Sequence, residues 1–489
     1  MLNRALGPRL AGLAVFAAAL WAQHDGLIGV FFDDGIYVSL ARSLATGEGY
    51  VNGHLPEPFP AVHYPPLYPW ALSLLWRVWP QFPDNAAVFQ LFDAACLGLA
   101  AWLIAAHARR LPLIPWVSAT LVTAGLVAFP VLTIVGVRFS EPLFLALAAA
   151  AIALSDRAHR DARLAVAVGV LAGLATLTRS IGIAVVLGVA LGYLTRRRWN
   201  DAALSTGTAA LIVLPWTLWV WRHAAAVPEA LAANYGTYAS EVSQAGLGGL
   251  VHVETLGVLL PVMRLLLPSL SAGLWYTGTM LLVALIAWGA WSAWRSAPSL
   301  ASGATAYIAM VALWPYAPDR FIWIVLPWLF LFLALGLRAA WRVAPHAAPR
   351  SAVAALAALA ILVGGAREWQ SVTTGGFAAT ARGISAPMRA LIRVINAELP
   401  ADAVIASADE ALIALYTGRR AMPAHMFHWA GRSTVNLDPA ATHAVLCHAG
   451  VTHVAVTGPG DPAERIVSGF EPHFRLRDGP GLYRLPCGT

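Results

Sequence analysis

Residues 164–195 read LAVAVGVLAGLATLTRSIGIAVVLGVALGYLT, an apolar run of 32 residues interrupted at Thr178-Arg179-Ser180. A single helix of this length would rise about 48 Å, whereas the hydrocarbon core of a bilayer is about 30 Å thick. The run therefore predicts two short membrane helices, 164–178 and 180–195, joined by a turn that carries Arg179.

The whole chain has the composition of a membrane protein. Of its 489 residues, 59% are hydrophobic and 12% are charged, and the mean hydropathy is +0.66. Soluble domains carry about 25% charged residues. These values exclude a single soluble domain, a disordered chain and a fibrous protein. They predict a polytopic α-helical membrane protein in contact with the lipid bilayer.

We predict about eleven membrane spans, and arginine counts orient them. The spans lie near residues 10–30, 86–106, 113–135, 141–155, 164–178, 180–195, 201–221, 273–293, 299–316, 321–341 and 351–367. With the N-terminus inside, the cytoplasmic loops hold fourteen arginines and the opposite side, up to residue 350, holds seven. Because short basic loops stay in the cytoplasm, this bias predicts an inner-membrane protein with an extracytoplasmic C-terminus. It also accounts for the net charge of +7 without a nucleic-acid partner.

Two longer segments are expected outside the membrane. The first extracytoplasmic loop, 31–85, has an amphipathic stretch and then a proline-rich part, an order typical of elements lying in the membrane interface. The second segment, 380–489, alternates helical and β-rich patterns and predicts a small α/β domain after a transmembrane domain of residues 1–370. The predicted elements of that domain are helices Met388–Leu399 and Ala440–Ala449 and strands Ala403–Ser407 and Thr452–Thr457.

Candidate catalytic carboxylates follow the first predicted span. An aspartate before a helix accepts backbone N–H bonds, and Asp34 alone, before Gly35, would fill that capping role. Asp33 is then a surplus carboxylate, and adjacent acids beside a bilayer are costly unless they are solvated or paired. We predict that Asp33 and Asp34 form a working site, as a general base or a cation ligand, with helix capping as the alternative.

Glu141 is the third candidate acid, in the stretch Arg138-Phe139-Ser140-Glu141-Pro142 after the third span. A catalytic role would require its side chain to enter the same outer cavity as Asp33. The alternative is an ion pair with Arg138 at a spacing of three residues, together with a helix start.

Arginines on the outer side are candidates for binding a phosphate. Arg138, Arg179 and Arg320 carry the planar, permanently charged fork that suits phosphate oxygens. Interfacial anchoring of these long side chains is the alternative. His63 and Tyr64, before Pro65-Pro66, could add two donors at the cavity mouth, although a rigid proline turn also explains that stretch.

Other chemistry has less support. The sequence has no Gly-rich nucleotide loop, Ser-His-Asp signature or H-E-x-x-H motif, so no nucleotide cofactor is expected, while a divalent cation is left open. His425 and His428 lack a third metal ligand at a suitable spacing. Cys447 and Cys487 could form a disulfide in an oxidising compartment. The apolar helical face of Cys447 instead favours a buried free thiol.

Several motifs resemble the C-type membrane glycosyltransferases, polytopic enzymes that include protein O-mannosyltransferases and bacterial lipid A aminoarabinose transferases. Those in the first outer loop are Asp33-Asp34-Gly35-Ile36-Tyr37, Ala45-Thr46-Gly47-Glu48-Gly49-Tyr50 and His63-Tyr64-Pro65-Pro66-Leu67-Tyr68-Pro69. Later landmarks are Ser140-Glu141-Pro142-Leu143-Phe144, Thr176-Leu177-Thr178-Arg179, Asp319-Arg320-Phe321 with Pro327, and Tyr416-Thr417-Gly418-Arg419. The resemblance covers about residues 1–370 and this last short stretch.

The resemblance implies transfer of a sugar, with inversion, from a polyprenyl-phosphate carrier to an extracytoplasmic glycan, lipid or protein hydroxyl. The family's first-loop acid matches Asp33, and the acid after the third span matches Glu141. Arg179 stands where relatives carry a basic residue facing the carrier phosphate. Phe321 departs from the tyrosine that many relatives have after the arginine.

Two other classes of function remain as alternatives. A transporter or lipid flippase would place charges and broken helices near the membrane midplane, often in inverted repeats. Here the acids gather at one interface and no repeat is visible in the sequence. A non-catalytic glycan-binding or scaffold protein would tolerate the loss of Asp33.

Overall fold

The computed structural model describes residues 2–157, 161–243, 257–267, 271–314, 318–343, 351, 358, 362, 364–430, 433–477 and 479–487. Up to residue 343 these residues are mainly helical. The α-helices, numbered in chain order, are α1 Leu2–Trp21, α2 Asp33–Thr46, α3 Leu67–Val78, α4 Ala86–Ala108, α5 Pro115–Leu126, α6 Phe129–Val135, α7 Glu141–Ser155, α8 Ala162–Thr178, α9 Ile183–Thr195, α10 Trp199–His223, α11 Ala232–Tyr235, α12 Leu260–Leu266, α13 Ala272–Ala293, α14 Pro298–Ala312, α15 Asp319–Trp323 and α16 Leu326–Val343. Residues 364–373 are also helical.

Many of these helices are apolar. Within the described ranges, four are long and apolar enough to cross a membrane, and the bent pair α5–α6 makes a fifth candidate. The four are Ala86–Ala108, Trp199–Ala226, Ala272–Ala293 and Leu326–Val343. Shorter apolar helices of 10–17 residues are Leu6–Trp21, Glu141–Ser155, Ala162–Thr178, Ser180–Thr195 and Gly257–Leu266. The total of eleven spans stays a prediction.

The division of residues 164–195 into two helices is confirmed. Helix α8 ends at Thr178, Arg179 has an extended backbone (φ −148°, ψ 132°), and α9 follows after a short 3₁₀ turn. Helix α9 approaches α14 closely at two glycines. A Cβ atom on Gly188 would lie 2.2 Å from the Cα atom of Gly303, so this approach requires glycine.

Three predicted spans have different boundaries in the structure. The span 10–30 is wrong at its end, because α1 stops at Trp21 and the chain then leaves the helix through a segment that contains Gly26 and Gly29, the latter at a φ of 102°. The span 113–135 is bent by 59° between α5 and α6, where Pro130 cannot continue a helical hydrogen-bond ladder. The span 321–341 is divided between α15 and α16. Most of the span 351–367 lies outside the described residues.

The first outer loop is packed under the C-terminal domain. The predicted amphipathic stretch forms α2, which ends before Gly47 in the left-handed conformation (φ 87°). Both faces of α2 are largely buried in a core that also contains side chains of α3 and of the C-terminal domain. The helix is therefore an internal element and does not simply lie on a bilayer surface. Helix α3, within and after the proline-rich part, was not predicted.

The C-terminal domain contains strands and helices, as predicted. Its helices are α17 Ala379–Glu398, α18 Glu410–Thr417 and α19 Pro439–His448, and its strands are β1 Val404–Ser407, β2 Arg420–Pro423, β3 Phe427–Ala430, β4 Ser433–Asn436, β5 His453–Val456, β6 Pro472–Arg475 and β7 Gly481–Arg484. A five-stranded sheet has the order β2-β1-β5-β7-β6, with β1 parallel to β2 and β5 and with β7 antiparallel to β5 and β6. Strands β3 and β4 form a separate antiparallel hairpin.

A disulfide joins Cys447 at the end of α19 to Cys487 after β7. The preference for a free thiol at Cys447 is therefore wrong. The reason is that the C-terminal residues fold back onto the end of α19. The N–H of Leu485 donates to the carbonyl of Thr452 at 2.9 Å, which brings the residues after β7 back to the end of α19. Cys96 is buried and free, within an apolar helix.

Direct contacts join the first outer loop to the C-terminal domain. The N–H of Ala421 donates to the carbonyl of His54 at 2.9 Å. The Nε2 atom of His54 lies 2.9 Å from the hydroxyl of Tyr235, and that hydroxyl donates to buried Glu410. The two predicted outer segments therefore lie at the same end of the molecule.

Candidate active site

A cavity of about 570 Å³ lies between the helical domain and the C-terminal domain. Its walls come from the first outer loop, the α8–α9 break, the α11 region, α15 and the β2–β3 connection. Among the lining residues are Asp33, Tyr37, His63, Tyr64, Arg179, Asn234, Tyr238, Arg320, Phe321, His425, Phe427 and Trp429. Five of the eight predicted site residues are in this set.

Two carboxylates and two guanidinium groups form a continuous chain of ion pairs at this cavity. Arg320 binds Asp33 through Nη1, and its Nε lies 2.6 Å from Oε1 of Glu141. Arg179 Nη1 lies 2.8 Å from the same Glu141 oxygen. Glu141 is 1% exposed, while Asp33 and Arg320 keep about a quarter of their side chains exposed. The site therefore has a buried anchor and an accessible edge.

Each of these four residues lies near a helix end or a helix break. Asp33 and Glu141 are the first residues of α2 and α7, where free N–H groups favour a negative charge. Arg179 occupies the break between α8 and α9, and Arg320 lies in the five-residue helix α15. Packing of these elements brings together residues that are far apart in sequence.

The environment of Asp33 keeps it ionised. Burial alone would raise the pKa of Asp33, but the charge of Arg320 and a hydrogen bond from Tyr64 outweigh that effect and hold this pKa below its usual value. The hydroxyl of Tyr64 donates to Oδ1 of Asp33 at 2.5 Å. The cavity wall therefore carries a negatively charged carboxylate around neutral pH.

Asp34 has a different environment. Its carboxylate accepts hydrogen bonds from the N–H groups of Gly29, at 2.6 Å, and Phe31, at 3.1 Å, in the preceding turn. Burial raises the pKa of Asp34 to about 6, although these bonds oppose the rise. Asp34 is 1% exposed and is not among the residues lining the cavity. Its side chain supports the turn that presents Asp33.

Arg138 is not brought to the cavity. It is 2% exposed, and its Nη1 donates to Gly136 O at 2.5 Å and to Gln23 Oε1 at 3.2 Å. Its positive φ of 38° turns the chain before α7. The alternative of an Arg138–Glu141 ion pair is wrong, because the ion-pair partners of Glu141 are Arg179 and Arg320.

His63 lies in the cavity wall and is held by a hydrogen bond to the backbone. Its Nδ1 lies 2.7 Å from the carbonyl of Gly236 and 3.5 Å from the carboxylate of Glu241. Since a carbonyl only accepts, Nδ1 carries a proton and donates it to Gly236. The Nδ1 donor of His63 is thereby used within the protein, and a contact between His63 and phosphate stays a prediction.

Several residues in and beside the cavity were not predicted from the sequence. The hydroxyls of Tyr37 and Ser140 are 3.1 Å apart, and Arg179 Nη1 donates to that Ser140 hydroxyl at 3.1 Å. Tyr37 follows Asp33 by one helical turn, so a helical-face argument would have found it. Phe427 and Trp429 come from a hairpin whose position depends on tertiary packing, and the sequence carried no comparable signal for them.

The described residues contain no group of three or more His, Cys, Asp or Glu side chains that could hold a metal ion. His425 lines the cavity and its Nε2 donates to Asn436 Oδ1 at 2.8 Å. His428 is exposed in β3. We assign no cation site here.

The chain shares its fold with solved structures of ArnT and of the oligosaccharyltransferase AglB, in agreement with the resemblance carried by the sequence motifs. The chain is similar to the crystal structure of ArnT from Cupriavidus metallidurans bound to undecaprenyl phosphate, with a TM-score of 0.61 and 14% identity over 97% of this chain and 96% of that one. The apo structure of the same protein gives the same TM-score and identity.

A second solved structure shares this fold. It is the archaeal oligosaccharyltransferase AglB from Archaeoglobus fulgidus in complex with an inhibitory peptide and a dolichol-phosphate. The TM-score is 0.57 and the identity 14%, over 93% of this chain and 69% of that one. No protein-family model matches the chain, and no curated protein matches it by sequence. The likeness is thus one of three-dimensional structure.

Proposed function

We propose that the protein is an inverting glycosyltransferase of the inner membrane. It would move a sugar from a polyprenyl-phosphate carrier to an acceptor hydroxyl on the extracytoplasmic side. The observation that carries this proposal is the Asp33–Arg320–Glu141–Arg179 chain at a cavity between the two domains. The polyprenyl phosphates bound in the ArnT and AglB structures support the donor class.

Arg179 and Arg320 bind the carrier phosphate in this proposal. Both are cavity residues, and both present guanidinium forks that match phosphate oxygens. The phosphate gains negative charge as the glycosidic bond breaks, so these cations stabilise the transition state more than the ground state. Glu141 is the positioning residue, since its buried carboxylate contacts both guanidinium groups.

Asp33 acts as the general base. The acceptor oxygen attacks the anomeric carbon on the face opposite the phosphate, its proton passes to Asp33, and the phosphate leaves with the bonding electron pair. In the absence of substrate, Arg320 neutralises Asp33. When a phosphate takes over Arg320, the carboxylate loses part of that partner and becomes a stronger base, so donor binding would prepare Asp33 for proton transfer.

The competing function is transport of the lipid-linked sugar. An assay with the protein in liposomes distinguishes the two functions. The liposomes contain a panel of radiolabelled undecaprenyl-phosphate sugars, and a cell-envelope extract supplies acceptors. A transferase releases free undecaprenyl phosphate and moves the label into the extract. A flippase moves the intact donor between leaflets and cleaves none of it. If no donor is cleaved and the intact donor moves between leaflets, the transferase proposal is wrong and the protein is a flippase.

A further inference from the structure

The β3–β4 hairpin gives the cavity an aromatic wall that the charge chain does not use. Phe427 and Trp429 line the cavity with ring centroids 5.8 Å apart and planes at 81°. They are two residues apart in β3, so they share one face of the hairpin. His428, between them, points to the other face and is exposed.

The same hairpin face carries polar groups beside the rings. In the antiparallel register Phe427 lies opposite Asn436, and Trp429 lies opposite Thr434. Directly opposite residues share a face, so an amide and a hydroxyl flank the two aromatic rings. His425 donates to Asn436 Oδ1 and fixes that amide with its NH₂ group as the remaining donor.

The hairpin is held over the cavity by the α11 region. Asn234, which also lines the cavity, donates from Nδ2 to the carbonyl of His425 at 3.2 Å. Leu437 N–H donates to the carbonyl of Met426 at 2.9 Å and closes the base of the hairpin. These bonds fix where the aromatic face lies relative to the helical domain.

We infer that this face is the acceptor subsite and that the acceptor is a pyranose. A pyranose ring has an apolar face of C–H groups, which are attracted to the negative face of an aromatic ring, and an edge of hydroxyls. The hairpin offers both kinds of partner, and none of the described residues of β3 and β4 is an acid or an arginine. A peptide backbone or an acyl chain would use only part of this set.

The placement favours the acceptor over the sugar of the donor. This inference rests on the proposed function, in which the carrier phosphate occupies Arg179 and Arg320 in the helical domain. Phe427 and Trp429 belong to the C-terminal domain, which forms a different wall of the same cavity. Attack opposite the phosphate requires the acceptor to lie on the other side of the transferred sugar from the two arginines, and the hairpin is the aromatic wall that the C-terminal domain contributes to this cavity.

Saturation-transfer NMR tests the inference without turnover. The full-length protein is placed in nanodiscs free of sugar-based detergent, and the probes are methyl pyranosides, a Ser/Thr-containing peptide and a short-chain phosphatidylcholine. We expect saturation transfer to at least one methyl pyranoside, with roughly 2- to 10-fold weaker binding in Trp429→Ala and Phe427→Ala. Trp429→Phe keeps a ring and should bind within about twofold of wild type.

His428→Ala is the matched control, in the same strand but on the opposite face, and it should bind as wild type does. Undecaprenyl phosphate binding should be unchanged in Trp429→Ala, and that measurement also shows that the variant is folded. If a glucosyl diacylglycerol in the nanodisc abolishes the pyranoside signal, the acceptor is a lipid-linked sugar. If the signal is unchanged, the acceptor is a soluble glycan.

Equal pyranoside binding in wild type and Trp429→Ala would overturn the inference, as would saturation of the peptide or the phospholipid with none of the pyranosides. Since no donor is present, a failure here is independent of whether the protein transfers sugar. Conversely, pyranoside binding at the hairpin with no donor cleavage would contradict the proposed transferase alone.

Discussion

Arg320 Nε lies 2.6 Å from Oε1 of Glu141. The same guanidinium binds Asp33 through Nη1, so a single cation is shared by a buried carboxylate and a more accessible one. The buried contact fixes the position of the arginine, and the accessible contact can be exchanged for a phosphate. We therefore expect different effects from substitutions of Asp33 and Arg179, the residues at the two ends of the ion-pair chain.

We expect Asp33→Asn to lose about 10²- to 10⁴-fold in transfer rate, because an amide cannot accept the proton of the acceptor hydroxyl. The amide oxygen can still accept the hydrogen bond from Tyr64, and Arg320 keeps Glu141, so the protein should fold. The measurement is release of undecaprenyl phosphate from the labelled donor. Turnover equal to wild type would contradict the assignment and favour a scaffold role.

Asp34→Asn is the matched control beside it. One oxygen is lost from a carboxylate that accepts from the N–H groups of Gly29 and Phe31. The expected cost is about 1–3 kcal/mol of stability with part of the activity kept, since the change affects the supporting turn and not the reacting atoms. A turnover loss as large as that of Asp33→Asn would show that the two carboxylates act together.

Arg179 should affect both donor binding and turnover. We expect Arg179→Ala to lose about 10²- to 10³-fold in transfer rate, because a charged donor to the leaving phosphate is removed. Arg179→Lys should be impaired less, since it keeps the charge and loses the fork. The transfer rate and the affinity for undecaprenyl phosphate are measured for both variants.

Arg222 provides the control for that comparison. It is an exposed arginine at the end of α10 and does not line the cavity. Arg222→Ala should transfer sugar at the wild-type rate. If Arg179→Ala also transfers sugar at nearly the wild-type rate, Arg179 does not bind the phosphate and serves only as an interfacial anchor.

Local signals explain which parts were predictable. The break at Arg179 followed from a helix-length argument, and the amphipathic period of α2 and the main elements 388–399 and 452–457 were visible as patterns. Residue chemistry also indicated Asp33, Glu141 and Arg320 as candidates. Their partnership with one another was not predictable, because it depends on how α2, α7 and α15 pack.

Tertiary contacts account for what the sequence analysis missed or assigned wrongly. Arg138 precedes Glu141 by three residues, yet its positive φ directs the side chain to Gln23 instead. Cys447 lies on an apolar helical face, but the end of the chain returns to it. The cavity aromatics of β3 belong to a four-residue strand with no local signal. Each case depends on a residue distant in sequence.

The topology is tested by reporter fusions at Asn52 and Gly460. We expect both positions on the extracytoplasmic side, because arginine counts orient the spans and the outer loop contacts the C-terminal domain through His54 and Ala421. A fusion in the α4–α5 connection, near Arg110, which the arginine counts predict to be cytoplasmic, is the control and should report the opposite side. Reporters that place Asn52 and Gly460 on different sides would contradict the proposed site.

The disulfide predicts a specific thiol count. Unfolded, unreduced protein should react with a thiol reagent at Cys96 only, and two more thiols should appear after reduction. Closing a loop of 40 residues corresponds to about 4 kcal/mol in the chain-entropy model, so Cys447→Ser should destabilise the C-terminal domain by up to that amount. Three reactive thiols before reduction would show that the bond does not form.

Glu410 predicts how stability depends on pH. Burial raises the pKa of Glu410 to about 8, although a hydrogen bond from Tyr235 opposes the rise. The folded protein therefore holds a proton that the unfolded chain releases near pH 4.5, and stability should fall as pH rises from about 4.5 to 8. Asp409, whose pKa is raised to about 7 by burial and by nearby Asp461 and Asp34, acts in the same direction.

Glu410→Gln removes this titration while its amide oxygen can still accept from Tyr235. We expect the unfolding midpoint in nanodiscs to depend less on pH and to exceed wild type by about 2 °C or more at pH 9, with little difference at pH 5. Glu410→Ala is the matched control: it leaves the buried Tyr235 hydroxyl without this acceptor and should destabilise by about 1–3 kcal/mol at both pH values. If Glu410→Gln follows the wild-type pH profile between pH 5 and 9, Glu410 is not protonated in the folded protein, and the loss of stability must come from Asp409 or another buried acid.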